Sequence, residues 1–195
     1  MLSGAKTVIS FFLPFDPVLV KLNRRHSFVA REWAEAYVVS NNLIKAICGA
    51  IGSQLSGLGF RTAWEMPTHN FDKERFLSLW SHKHVAYVCG LGSFGHHTML
   101  ITDQGCAGRF GSLVTDAEII PTPGQKELFF SGCEKCNYCV RVCPISALQE
   151  MEPKIAKASC YTQLMEVNDY YQDLPLCDAC GKCACGPCSL ILPKF

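Results

Sequence analysis

No stretch of this sequence is long and apolar enough to span a bilayer. The apolar run Val8 to Phe15 (VISFFLPF) falls well short of the ~20 residues a spanning helix needs, and Asp16 and Pro17 end it. No small-residue cleavage site comes after it, so a secretory leader is not expected. No block of one charge sign is present. The formal net charge is +1, which removes the electrostatic case for nucleic acid or an acidic membrane as partner. There is no low-complexity tract. His26, His69, His82, His84, His96 and His97 are scattered and form no metal motif on their own. These absences point to a cytoplasmic protein in a reducing compartment, with no membrane partner.

Cysteine is what the chain has in excess. There are 13, of which ten lie between Cys133 and Cys188; the others are Cys48, Cys89 and Cys106. In a secreted domain so many cysteines would read as a disulfide framework. Here the spacing is that of metal ligands rather than of loop-spanning bridges. Gly132 to Pro144 reads GCEKCNYCVRVCP, so Cys133, Cys136, Cys139, Cys143 and Pro144 form C-x2-C-x2-C-x3-C-P. That is the bacterial ferredoxin run, whose fourth cysteine serves the other cluster. Three close cysteines wrap one loop around three corners of a [4Fe–4S] cubane. Cys143 reaches a second cubane from a helix expected to start at Pro144 and to pack Ile145, Ala147 and Leu148. A zinc ribbon would need two CxxC pairs, not a triplet followed by Cys-Pro.

Two wirings remain open on spacing. A plain two-cluster ferredoxin would join Cys143 with Cys177, Cys180 and Cys183. The other choice is Cys143, Cys160, Cys180 and Cys183. In both, Cys188 completes the first cluster with Cys133, Cys136 and Cys139, and Cys185 has no assigned role. Two [4Fe–4S]2+ cores held by eight thiolates take the formal charge from +1 to −3. Such a module is an electron wire, and it implies a redox partner protein as donor.

A chain of 195 residues, 49% hydrophobic, can build one core plus a small appended module. Lys6 to Phe15 reads as a buried strand. Phe28 to Leu58 reads as a helix, with Trp33, Tyr37, Ile44, Ile47 and Ile51 at helical spacing and Gly57 and Gly59 stopping it. Phe60 to Trp64 reads as a short strand, Asp72 to His84 as a helix capped by Asp72, and Val85 to Val88 as a strand. Thr98 to Thr102 and Arg109 to Thr115 read as a hairpin. Beyond the hairpin, Pro121, Pro123 and Gly124 punctuate the chain. The expected domains are an α/β unit, 1–126, and a ferredoxin-like module, 127–195, that needs its cofactor to fold.

One more motif raises a question. In VAYVCGLGSFGHHTMLI, Gly90, Gly92 and Gly95 spell G-x-G-x-x-G. A dinucleotide site needs a helix after that loop and an acidic residue about 20 positions on. Asp116 lies 21 residues past Gly95, yet Thr98 to Thr102 reads as strand and leaves no room for the helix. The alternatives are a tight turn, or a loop whose backbone approaches a bulky cofactor.

HVAYVCGLGSFGHHTMLITDQGCAGRFGSLVTD, followed by CEKCNYCVRVCPISAL, resembles the epoxyqueuosine reductase family and its small iron–sulfur relatives. GAKTVISFFLPF is similar to that family's first strand, and the resemblance runs from about Ala5 to Cys188. It implies an α/β (α+β), nitroreductase-like, cobalamin-type domain followed by a two-[4Fe–4S] ferredoxin-like module, an arrangement shared with reductive dehalogenases. It implies that Cys160 joins the second cluster with Cys180 and Cys183. It also implies that Gly90, Gly92, Gly95, His96, His97 and Arg109 line a corrinoid pocket. A flavin is the weaker possibility for that pocket. The family's proton-donating Asp has no direct match in WEMPTHNFDKER, so Glu65, Asp72 and His97 are the catalytic candidates. The helical repeats by which many members grip tRNA are not found within these residues, and nucleic acid is not expected as a partner. Two functions stand as expectations. One is a corrinoid-dependent reductase acting on a small molecule or on a corrinoid protein. The other is a non-catalytic electron carrier whose α/β domain docks a partner.

Overall fold

The computed structural model describes residues 2–67, 70–122, 133–150 and 155–190. His69 and the expected domain boundary at 126 lie outside them. The elements run β1 (Thr7–Pro14), α1 (Pro17–Arg25), α2 (Arg31–Gly57), β2 (Thr62–Ala63), β3 (Phe71–Asp72), β4 (Leu77–Ser78), α3 (His82–Val88), β5 (Gly92–Phe94), β6 (Leu100–Thr102), β7 (Gly108–Thr115), α4 (Tyr138–Arg141) and α5 (Lys157–Tyr170). Two single 3-10 turns, Lys182–Cys185 and Pro187–Ser189, come last. The fold is mixed α+β with small sheets.

The main sheet has three strands in the order β1-β7-β2. β1 and β7 pair antiparallel over their full length, from Thr7 opposite Thr115 to Pro14 opposite Gly108. The 27-residue α2 lies across this sheet and buries Ile44 and Cys48 against Leu113, with Ile9, Phe11, Leu13 and Trp64 around them. Its end falls where the two glycines predicted it, and Gly59 takes a left-handed φ of 86°.

Four local expectations are overturned. Residues 72–84 are not one helix. β3 and β4 form a small hairpin, and the Asp72 carboxylate accepts from the backbone N–H of Glu74 and Arg75 at 2.9 and 3.0 Å. An aspartate that suits a helix start equally suits a turn, and here the turn wins. The helix begins only at His82 and absorbs the Val85–Val88 run expected as strand. The apolar run is too short for periodicity to distinguish the two states.

The hairpin expected between Thr102 and Arg109 also does not form. β6 pairs back with β5, Phe94 opposite Leu100. After the turn, Cys106 and Ala107 give their N–H groups to the carbonyls of Cys188 and Ser189, both at 3.0 Å. β7 is thereby released to β1. Finally, no helix begins at Pro144. The short helix is α4, ahead of Cys143, while Ala147 and Leu148 are buried without helical structure and Leu148 bridges Ile155.

The cysteine-rich segment is not an appendage. Phe15, Val20, Val29, Trp33 and Tyr37 share one hydrophobic core with Val167, Tyr171, Cys177, Ala179 and Cys185. α1 ties directly to that segment. Asn23 Nδ2 donates to the Cys180 carbonyl at 3.0 Å, Arg24 donates to the Cys185 carbonyl at 2.6 Å, and Lys182 donates to the Asn23 and His26 carbonyls. Among the described residues, no helix is long and apolar enough to cross a membrane.

Candidate functional site

α4 and the loop before it carry Cys133, Cys136 and Cys139, and the second 3-10 turn brings Cys188 to them. Burial pushes the Cys139 thiol up to about 11, and the neighbouring Cys188, Cys133 and Cys136 push it the same way. These four cysteines line a cavity of about 150 Å³ together with His96, His97 and Cys183. A second group forms beside the first. Burial raises the Cys160 thiol, with Cys180 and Cys143 adding to the rise; Cys183 is raised by burial and then by Cys180, Cys160, Cys139 and Cys143. Cys160 is supplied by α5, Cys180 and Cys183 by the segment entering the first 3-10 turn. Cys183 thus faces both groups.

The remaining cysteines point elsewhere. Cys177 Sγ is directed at the Val167 carbonyl 3.9 Å away, and its nearest charged neighbours are Asp178 and Asp173. Cys185 Sγ donates to the Gly181 carbonyl at 3.3 Å and accepts from Asn23. Cys48 faces the Ser112 carbonyl under the sheet, and Cys89 caps α3.

The glycine loop belongs to the first cysteine group. Gly90 ends α3 with a φ of 77°. A Cβ on Gly92 would collide with the backbone carbonyl of Ile101, and one on Gly95 with the ring of His97. The space these glycines leave is therefore filled by the protein's own hairpin. The loop then delivers donors to sulfur. The His96 N–H points at Cys133 Sγ at 3.4 Å, and His97 Nε2 lies 3.2 Å from Cys188 Sγ. His97 Nδ1 accepts from the Met99 N–H at 3.0 Å, which assigns the ring hydrogen to Nε2. The Cys106 thiol donates to Cys188 Sγ at 3.8 Å. The Cys106 bond first, and His97 after it, lower the Cys188 thiol below its ordinary value, while Cys106 is raised.

Among the described residues, His97, Cys106 and Cys188 are the only three metal-ligating side chains whose donor atoms all lie within 4.8 Å of one another. No three of the grouped cysteines come that close. Ligands of one tetrahedral zinc, with bonds of about 2.3 Å, stand only ~3.8 Å apart. As they stand, the two cysteine groups are more open than the ligands of a single tetrahedral ion.

Arg109 lies elsewhere, on β7, in a cavity of about 320 Å³ that also meets Cys180 and Cys106. Its guanidinium lies 4.0 Å from the centre of the Tyr37 ring, and Nη1 is buried without a hydrogen-bond partner. Tyr37 Oη donates to Asp178 at 2.5 Å. Burial raises the Asp178 carboxyl and lowers both Arg109 and His82. Lys83 donates to the Thr98 carbonyl at 2.8 Å and is lowered by burial, against the pull of Cys183 and Cys160. Of the catalytic candidates, Glu65 sits beside His82, Asp72 is occupied by its turn, and His97 is with the cysteines. Tyr37, His82 and Lys83 carry no site signal in the sequence. Only Asp178, inside the Cys-Asp-Ala-Cys run, has a suggestive local context.

No protein-family profile matches the chain, and no curated protein does. The chain is similar to a solved structure of epoxyqueuosine reductase from Streptococcus thermophilus, with 19% identity and a TM-score of 0.49 over 84% of this chain and 42% of that one. It thus spans less than half the length of that protein. A likeness of this degree assigns no role to any residue here.

Proposed function

We propose that the chain is an iron–sulfur redox protein holding two [4Fe–4S] clusters. Cys133, Cys136, Cys139 and Cys188 hold the first, and Cys143, Cys160, Cys180 and Cys183 the second. The observation that carries this reading is the pair of four-thiol groups, each more open than the ligands of one tetrahedral ion, with Cys183 between them. Bound clusters supply one-electron carriers. The chain's own residues do the rest. Thiols held above their ordinary pKa by burial are costly as bare thiolates, and bound iron offsets that cost. The His96 N–H, His97 and Cys106 donate toward sulfurs of the first group, while Lys83 and Lys182 place positive charge by the second. Donors and cations of this kind set a cluster's potential.

The destination of the electrons divides the two functional expectations. The pocket at Cys180, with the Arg109 Nη1 left without a hydrogen-bond partner, favours a reductase over a pure carrier. A corrinoid is not a good fit to it. Gly92 and Gly95 pack against their own hairpin, His96 and His97 are committed to cysteines, and about 320 Å³ is at the low end even for drug-sized ligands. No step of the electron path is routed through a corrinoid. A redox protein remains the partner that supplies electrons.

Anaerobically prepared protein should contain about eight irons and eight sulfides per chain, as two cubanes require. Cys160→Ala should lower iron by about half, and Cys177→Ala should leave it unchanged. Stoichiometric zinc in place of iron, or iron lost from the Cys177 variant alone, overturns the assignment. Cobalt and flavin measured in the same preparation test the corrinoid and flavin readings.

A further inference from the structure

The cavity on the sheet side of the second cysteine group combines features that its surroundings do not explain. Arg109 is stacked on Tyr37, whose Oη donates to Asp178. Asp178 is thus engaged through the tyrosine rather than by Arg109 itself. Arg109 Nη1 is left without a partner inside the cavity wall. A buried guanidinium N–H without an acceptor is costly, and native structures seldom leave one so. Lys83 lines the same wall, its Nζ donating to the Thr98 carbonyl, so two basic side chains and one carboxylate border the pocket. His82, whose Nε2 is also buried without a partner, lines the pocket too, and Phe15, Trp33, Met99, Phe110 and Leu164 supply apolar wall. Cys180 and Cys106 close the far side.

We propose that this pocket binds a small flat organic carboxylate, with its carboxylate on Arg109 and its apolar body between the aromatic walls, next to Cys180. A planar guanidinium matches a carboxylate's two oxygens. The apolar walls disfavour inorganic phosphate or sulfate, which would need donors on all sides. The volume of about 320 Å³ admits a single small ring and little more. The inference rests on the cluster reading above and narrows it, since it names the chemical class that meets the second cluster.

Benzoate and its uncharged counterpart benzamide are the probes. Calorimetric titration of the anaerobic, iron-loaded chain should show one saturable site, with benzoate at least about tenfold tighter than benzamide. Arg109→Gln should abolish that preference, and Arg109→Lys should retain part of it. Benzoate should also perturb the EPR signal of the dithionite-reduced protein, and should perturb it less in Cys160→Ala. Equal affinity for the two probes in the unaltered chain, no saturable binding, or a preference that survives Arg109→Gln overturns the proposal. The first two outcomes are read without any variant, so a variant that misfolds does not shield it. Iron below the content of two clusters counts against the cluster reading instead, because Arg109 and its aromatic walls stand on the sheet and α2.

Discussion

Cys160 and Cys177 are both partly or wholly buried, and cysteine spacing alone does not decide which of them joins Cys180 and Cys183. What separates them is what each sulfur faces: Cys180 and Cys143 for one, the Val167 carbonyl for the other. Cys185 resembles Cys177 in this respect. Cys185→Ala should keep full iron content and lose about 1–2 kcal/mol of stability through the contacts to Asn23 and Gly181. A second residue-scale test concerns acid. Arg61 holds the Asp116 carboxyl below its ordinary range, through a 2.8 Å ion pair and a backbone hydrogen bond of the same length. A depressed carboxylate stabilises the fold fully above the ordinary Asp value near 4 and loses that contribution as pH falls through its folded value. Asp116→Asn should therefore lower the urea midpoint at pH 7, and the gap to the unaltered protein should close as the pH is brought to ~3. A gap that persists unchanged at low pH would show that the pair contributes nothing.

Elements set by strong local pattern are legible in the sequence. β1 and the end of α2 at its glycines come from periodicity and missing Cβ atoms. The elements that depart from expectation are those decided by distant partners. β6 would be free to fold onto β7 if the carbonyls of Cys188 and Ser189 did not take the N–H groups between them. Likewise, Arg109 meets Tyr37 and Asp178 only because β7, α2 and the cysteine segment converge, and no periodicity encodes that. The glycines give a test at this scale. Gly92→Ala in β5 drives a Cβ into the Ile101 backbone and should destabilise by about 1–3 kcal/mol or more. Gly49→Ala in α2 meets nothing within 4 Å and should stabilise by about 0.5–1 kcal/mol through helix propensity. Equal urea midpoints for the two variants would contradict the packing described for the loop.

For the whole molecule, the shared core joins what the sequence divides at 126. Trp33 and Tyr37 of α2 are buried with Val167, Tyr171 and Cys185. Residues 1–126 expressed alone should not give a dispersed NMR spectrum or a cooperative unfolding transition. Stripping iron from the intact chain should destabilise the sheet as well as the cysteine segment, seen as a single shifted transition rather than two.

The scattering of the cysteines along the chain also bears on how the protein is made. A ribosome releases the chain from its N-terminal end at about 5–20 residues per second. The three cysteines of the 133–139 loop therefore emerge ~3–10 s before Cys188. During that interval neither four-thiol group has its full set, because Cys180 and Cys183 also come late. The early thiols must pass through synthesis unmetallated or only partly ligated, exposed to oxidation and to stray metal. On the proposed cluster reading, delivery of a complete cluster must follow the emergence of Cys188, and its yield should depend on how well the cell keeps those first thiols reduced while they wait.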